Sequence, residues 1–236
     1  VTRVRIIGPG RAGTSLHRAL TRAHWPVAPL LGRTDDLAGA ADDVDLVVIA
    51  TPDASVAEVA AAVAPREGVV VAHLSGALGL AALQGHARIA VLHPLVALPD
   101  PERGLERLVG AWFGLAEEGD PLVEEIVDEL HGRIVRVAEE DWARYHAAAV
   151  MASNHLVALL GQVERVATSI SVPLDAYLDL ARGALDDVAA LGPAAALTGP
   201  VRRGDLATVQ RHLDALPEPE RAAYQALAEE AARLCP

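Results

Sequence analysis

The chain has 236 residues, of which 52% are hydrophobic, 22% charged and 3% aromatic, a balance that excludes disorder and allows a sizeable core. Its net charge of -12 excludes nucleic acid as a partner, because binding phosphate backbones needs a basic surface. All 20 basic residues are arginine, so Schiff-base chemistry and a lysine general acid are excluded as well.

Strand-like residues begin at once, so no cleaved leader is expected and a cytoplasmic setting is. Val4–Ile7 reads as a strand, Gly8–Gly13 as a turn and Thr14–Ala23 as a helix. Gly8-Pro9-Gly10-Arg11-Ala12-Gly13 fits G-x-G-x-x-G in the strand-to-helix setting that its mechanism requires. The first glycine makes the tight turn, the second lets the backbone approach a pyrophosphate, and the third lets the helix pack on the strand. The helix N-terminus then offers free N–H groups to the phosphates.

Val27–Leu31 reads as a second strand, followed by Gly32-Arg33-Thr34 where a dinucleotide's ribose is sensed. Arg33 would pair with a 2′-phosphate and Thr34 would add a hydrogen bond, which favours NADPH over NADH. Asp35 and Asp36 follow, as ribose-binding acids of an NAD site or as caps of a short helix.

Further strands are expected at Leu46–Ile49, Val69–Ala72, Ile89–Leu92, Trp112–Leu115 and Ile134–Val137, with helices at Ala54–Val63 and Pro121–Leu130. Continuous Val/Ile runs separated by helices predict a mostly parallel α/β sheet covered on both faces. Ligands of such a doubly wound sheet bind beyond the carboxyl ends of its strands. That edge holds Thr51-Pro52-Asp53, His73-Leu74-Ser75-Gly76 and His93-Pro94-Leu95. Thr51, Pro52 and Ser75 are candidates for the cofactor, His73 for a substrate, and His93 for catalysis; each residue type also serves ordinary loops.

From Asp141 the period becomes helical. Trp142, Tyr145, Ala149, Ala152, Leu156, Leu159, Val163 and Val166 form one apolar stripe on an expected long helix. Further helices are expected at Asp175–Leu191 and Glu218–Arg233. The boundary falls near Ala138–Asp141, giving a nucleotide-binding domain over 1–139 and a helical substrate and dimerisation domain over 140–236. A helix apolar around so much of its circumference needs other helices or a second copy of the chain to cover it. The stretch Ala147–Leu160 is interrupted by Ser153, Asn154 and His155, too short and too polar to span a membrane. His146 and Ser153 are seven positions apart, which at about 100° per residue puts them on one helix face. They and Asn154 either hydrogen-bond within a helical core or face the cleft, with His146 as proton donor. Arg202 and Arg203, in a Gly/Pro-framed loop, would grip a substrate carboxylate or pair with surface acids. The single cysteine, Cys235, excludes an internal disulfide and a cysteine zinc site, and no metal is expected.

Taken together, Gly8–Gly13, His73–Ala77, His93–Leu95, Tyr145–Ala149, Ala152–Asn154 and Leu197–Asp205 resemble a family of Rossmann proteins whose second domain is a domain of unknown function. They lie within the 6-phosphogluconate-dehydrogenase-like superfamily, beside pyrroline-carboxylate and ketopantoate reductases. The resemblance covers nearly the whole chain. It implies NADP binding, an all-α 6-phosphogluconate-dehydrogenase-like C-terminal domain that dimerises, and reduction of a small carbonyl or imine acid, including a ketopantoate-like one. The hydroxyacid dehydrogenases of that superfamily place a lysine one turn before the asparagine; Val150 stands there here. The proton donor is then expected to be His146, with His93 second, and the resemblance implies that Asn154 orients the substrate. A non-catalytic NADP(H) sensor is the rival reading.

Overall fold

The computed structural model describes residues 2–235. The chain divides into two compact units, Val1–Ser153 and Asn154–Pro236.

The first unit is an α/β Rossmann-type fold. Its elements are β1 (Val4–Ile7), α1 (Arg11–Arg22), β2 (Leu46–Ile49), α2 (Asp53–Ala62), β3 (Val70–His73), β4 (Arg88–Pro94), α3 (Pro101–Leu108), β5 (Trp112–Ala116), α4 (Glu124–Glu129), β6 (Arg133–Val137) and α5 (Trp142–Val150). The strands form one sheet in the order β1-β2-β3-β4-β5-β6. Strands β1 to β4 are parallel, β5 runs antiparallel to β4, and β6 runs parallel to β5.

Alternation along each strand sorts the core onto the two faces. Val4, Ile6, Leu46, Val48, Val70 and Ala72 meet α1, α3 and α4 through Leu16, Leu20, Leu108 and Ile126. Ile7, Val47, Ile49 and Val71 meet α2 through Val56 and Ala60. Val91, Ala116 and Val137 meet Trp142 of α5. β2 and β3 are buried at every position, which is why they read as nearly unbroken apolar runs.

The segment expected as a strand at Val27–Leu31 pairs with β1 only at isolated bridges, Val4 with Val27 and Ile7 with Leu31. The Ala28 N–H donates to the Val4 carbonyl, but the next donor to β1 is Leu31, three residues on, to the Ile6 carbonyl, so the two-residue alternation of a ladder is broken there. The segment nevertheless places the switch in winding direction at β1. The chain leaves β1 toward residues 27–31 on one side and returns to β2 on the other. A crevice opens at that point, where such sheets bind ligands.

Helix α3 escaped the sequence reading although its signal was present. Asp100 caps it by accepting from the Arg103 N–H at 2.9 Å, and Pro101 opens it. Gly104 lets α3 approach α1 closely; a Cβ there would stand 2.0 Å from Ser15 Oγ.

The single long helix expected from residue 142 onward is interrupted. After α5 comes a π-helical turn, Met151–His155, and then α6 (Leu156–Ser169). A π turn inserts an extra residue and rotates all that follows, so stripes on either side of it do not align.

The second unit consists of helices among its described residues. They are α6, α7 (Leu174–Leu191), α8 (Pro193–Ala196), α9 (Gly199–Arg202), α10 (Leu206–Ala215) and α11 (Glu218–Ala232). Arg165 of α6 pairs with the Glu220 carboxylate of α11 at 2.6 and 2.9 Å. A cavity of about 660 Å³ is lined by Leu159, Val163, Ile170, Tyr177, Leu197 and Leu227, among others. Val157, Leu180, Leu185, Leu191 and Leu206 of this unit are exposed. Among the described residues, no helix is long and apolar enough to cross a membrane.

Candidate active site

Two of the three glycines in the loop are required by close backbone contacts. Gly8 has φ +115°, and a Cβ on it would lie 2.7 Å from the Ala50 carbonyl oxygen. A Cβ on Gly13 would lie 2.0 Å from the Gly8 carbonyl oxygen, so only glycine lets α1 start this close to β1. Gly10 differs: a Cβ there would meet nothing within 4 Å. Its bare Cα faces open space at the start of α1, and no side chain caps that helix. Arg11 is exposed, and Ala12 is partly buried against the core. Both stand in the first turn, where backbone N–H groups have no intrahelical partner.

Beside the loop lies a cavity of about 550 Å³, lined by Gly8, Pro9, Gly10, Arg33, Thr51 and Pro52 among others. Thr51 Oγ1 is buried without a hydrogen-bond partner, a polar atom that the protein alone leaves unsatisfied. Arg33 lines the cavity and is exposed, while Thr34 is exposed and is not among the lining residues. The two acids that left an NAD reading open have other work. Asp35 accepts from the Gly32 N–H at 2.6 Å and Asp36 from the Ala38 N–H at 3.0 Å, where a short 3₁₀ turn begins. They serve as caps.

A second cluster forms on the sheet face covered by α2 and α5. Ile49, His73 and Val91 are register partners, so the residues two beyond each, Thr51, Ser75 and His93, emerge along one edge. His93 pairs in the antiparallel ladder with Gly114. Gly114 has no side chain, and a Cβ there would stand 2.4 Å from the Tyr145 hydroxyl. That hydroxyl lies 2.8 Å from His93 Nδ1. The His146 ring crosses His93 edge to face, with centroids 5.9 Å apart. Gly76 makes room for both rings, since a Cβ on it would meet His93 Nε2 at 2.5 Å and His146 Cδ2 at 2.7 Å.

Burial holds the His93 imidazole far below its ordinary value, at about 4; the neighbouring His146 ring pushes the same way, and Asp53 opposes both. Burial raises the Tyr145 hydroxyl to about 12. At neutral pH His93 is therefore uncharged and Tyr145 keeps its proton.

His73, expected to touch a substrate, is fully buried. Its Nε2 lies 3.1 Å from the Gly79 carbonyl, and its Nδ1 accepts from the Ser75 N–H at 3.2 Å. Both ring nitrogens hold the loop after β3, and burial lowers its pKa too. Ser75 Oγ accepts from the Ala77 and Leu78 N–H groups at 3.1 and 3.2 Å, shaping the same loop. Glu139 closes it by accepting from the Leu80 N–H at 3.3 Å.

Ser153 lies in the π turn, and its hydroxyl donates back to the Ala149 carbonyl at 2.7 Å. The α-helical spacing that put it on one face with His146 does not hold through residues 151–153. Asn154 belongs to the second unit, as do Arg202 and Arg203. The two arginines are exposed and make no salt bridge among the described residues. The sequence reading missed Tyr145, Gly76 and Gly114 as site residues. Tyr145 was absorbed into an apolar stripe, and nothing local marks a glycine that admits a ring from another element.

Comparison with solved structures returns the same fold. A proposed NADP oxidoreductase from Bacteroides fragilis superposes with TM-score 0.81 at 21% identity, covering 98% of this chain and 98% of that one. A reductive aminase from Aspergillus terreus, solved with NADPH, cyclohexanone and allyl amine, gives 0.73 at 18% identity, covering 99% and 94%. A Plasmodium falciparum pyrroline carboxylate reductase with NADP bound gives 0.64 at 13% identity, covering 99% and 98%. No match is found among curated proteins. Residues 113–231, about half of the chain and mostly its helical part, match the family described as Domain of unknown function (DUF2520), and the chain belongs to that family.

Proposed function

We propose that this protein is an NADPH-dependent reductase of a small carbonyl or imine acid, and that residues 1–139 carry the nucleotide. The observation that carries this reading is the glycine loop. Two of its glycines are required by close backbone contacts, while the third opens onto the cavity where Arg33 and the unsatisfied Thr51 hydroxyl stand. These features fit a dinucleotide: N–H groups for the pyrophosphate at the start of α1, Arg33 for a 2′-phosphate, and Thr51 Oγ1 as a free polar contact. With Asp35 and Asp36 engaged by backbone N–H groups, Arg33 on the cavity wall favours NADPH over NADH. The solved structures of the same fold that hold NADPH or NADP support the same choice.

Bound NADPH would supply a hydride to the substrate carbon. The chain would hold the substrate's heteroatom and provide its proton. His146 is the proposed donor, because it lies in the cluster at the strand edge and no lysine exists to replace it. Asn154 would orient the substrate, Ser153 would support it, and Arg202 or Arg203 would bind a carboxylate. A second copy of the chain would cover the exposed apolar side chains of α6 and α7, giving a homodimer.

The test is titration with NADPH and NADH, followed by a panel of keto acids and imino acids read at the nicotinamide absorbance. Tighter binding of NADPH and turnover of a panel member are expected. Absence of affinity for either nucleotide would refute the proposal. Nucleotide binding with no turnover across the panel would favour a sensor.

A further inference from the structure

Resting on the reductase reading, we infer that Tyr145 is the positioning residue of this site: its hydroxyl donates to His93 Nδ1 and fixes the ring as the Nε2–H tautomer, so that His93 directs an N–H beside Gly76 at the substrate's oxygen or nitrogen.

The direction of that hydrogen bond follows from what surrounds it. The Tyr145 oxygen is packed against Gly114, with His93 Nδ1 at 2.8 Å as its hydrogen-bond partner among the described residues. If Nδ1 carried the hydrogen and donated it, the tyrosine's own O–H would be left without an acceptor over the sheet. Tyr145 is half-buried, and an O–H donor held there without an acceptor is disfavoured. If the hydroxyl donates, both groups are satisfied. Because Tyr145 keeps its proton and His93 stays uncharged at neutral pH, nothing competes with this arrangement. The ring then has one hydrogen left, on Nε2. That nitrogen sits over the bare Cα of Gly76 and has no protein partner among the described residues.

Two histidines so placed divide the work. His93 and His146 are close enough that charging both is disfavoured. Asp53 and His73 also act on His93, with opposite signs, and neither outweighs burial. His93 is left as an uncharged donor that polarises a carbonyl or imine, a role for which a neutral imidazole is suited. His146 is left to give the proton. The step balances: the hydride forms the new C–H bond, the π electrons move to the heteroatom, and His146 supplies the proton there. The N–H of His93 is kept throughout.

The experiment is ¹⁵N NMR of the full chain labelled at histidine, with His93 assigned by loss of its signals in His93→Gln. The wild type should show His93 Nδ1 as a lone-pair nitrogen and Nε2 as an N–H nitrogen, unchanged between pH 8 and 5.5. Tyr145→Phe should convert this to a tautomer mixture, and 3-fluorotyrosine at 145 should preserve it while shifting Nδ1 through a stronger hydrogen bond. A hydrogen on Nδ1 in the wild type would overturn the inference. So would one unchanged tautomer in Tyr145→Phe, or an Nδ1 indifferent to fluorination; this last arm decides even where the phenylalanine variant fails to fold. None of these readouts needs nucleotide or substrate, so they stand or fall separately from the reductase reading. With a turned-over substrate, Tyr145→Phe should lower kcat at least tenfold with little change in KM for NADPH. A kcat within twofold of wild type would refute the positioning role.

Discussion

Gly13 sits so close to Gly8 that a methyl group on its Cα would stand 2.0 Å from the Gly8 carbonyl oxygen. Gly10, between them, faces nothing within 4 Å. The same substitution therefore has different consequences three residues apart. Gly13→Ala should destabilise the fold by more than about 2 kcal/mol, as overpacking against backbone does. Gly10→Ala should melt within a degree or two of wild type yet bind NADPH at least tenfold more weakly, since its Cβ would enter the space for the pyrophosphate. Thermal unfolding and fluorescence titration on both variants check this. Normal NADPH affinity in Gly10→Ala would remove the loop from the site.

Arg33 is the one arginine among the described residues that line the cavity, and on the proposed reading its charge separates the two nucleotides. Arg33→Ala should weaken NADPH binding by roughly tenfold or more, the loss of about 1.5–3 kcal/mol expected for a hydrogen bond to a charged group. NADH binding should be nearly unchanged. Calorimetric titration of both nucleotides at fixed salt reads the difference. An equal loss for both would show that Arg33 does not see the 2′-phosphate.

The lowered pKa of His93 makes stability depend on pH with a definite sign. The folded chain keeps this ring uncharged down to about pH 4, whereas the unfolded chain protonates it near its ordinary value of about 6.5. Between those values the unfolded state binds more protons, so stability falls as pH falls through this window and levels off below it. One ring shifted this far contributes no more than about 3 kcal/mol, less with solvent screening. The lowered pKa of His73 adds to the loss in the same direction. Urea unfolding from pH 7 to pH 4.5 should show the loss, and His93→Gln should flatten it. A slope unchanged in that variant would assign the acid sensitivity elsewhere.

The enzyme and sensor readings part at His146 and Asn154. An enzyme should keep NADPH affinity within about twofold in His146→Ala and in Asn154→Ala while losing at least about 100-fold in kcat, the range of general acid catalysis. Full turnover in both variants would exclude these side chains from the chemistry.

Most of the first unit was legible because its signals are local. A strand buried on both faces must be an unbroken apolar run, and Leu46–Ile49 is one. A glycine required by a turn sits next to that turn, as Gly8 does. The His93 partner was not legible, because Tyr145 arrives from 52 residues away and occupies a gap left by Gly114. The shared face of His146 and Ser153 failed for another reason. Its arithmetic assumed 3.6 residues per turn, and five residues, Met151–His155, wind more loosely. The role given to His73 failed because a polar residue at a strand end serves a ligand and a loop equally well in sequence, and only its two satisfied nitrogens tell them apart.

The reversal at β5 decides where α5 can deliver its side chains. Because β5 and β6 run back against β4, β6 finishes at the margin opposite the glycine loop, and the polypeptide must climb again to continue. That ascent is α5: Trp142 anchors low beside Val137, and one turn higher Tyr145 and His146 arrive level with His93. Had the sheet stayed parallel to its last strand, β6 would have finished at the glycine-loop margin and the next helix would have descended from it. The antiparallel strand thus acts as a direction switch, letting the sheet receive at His93 a side chain from 52 residues downstream.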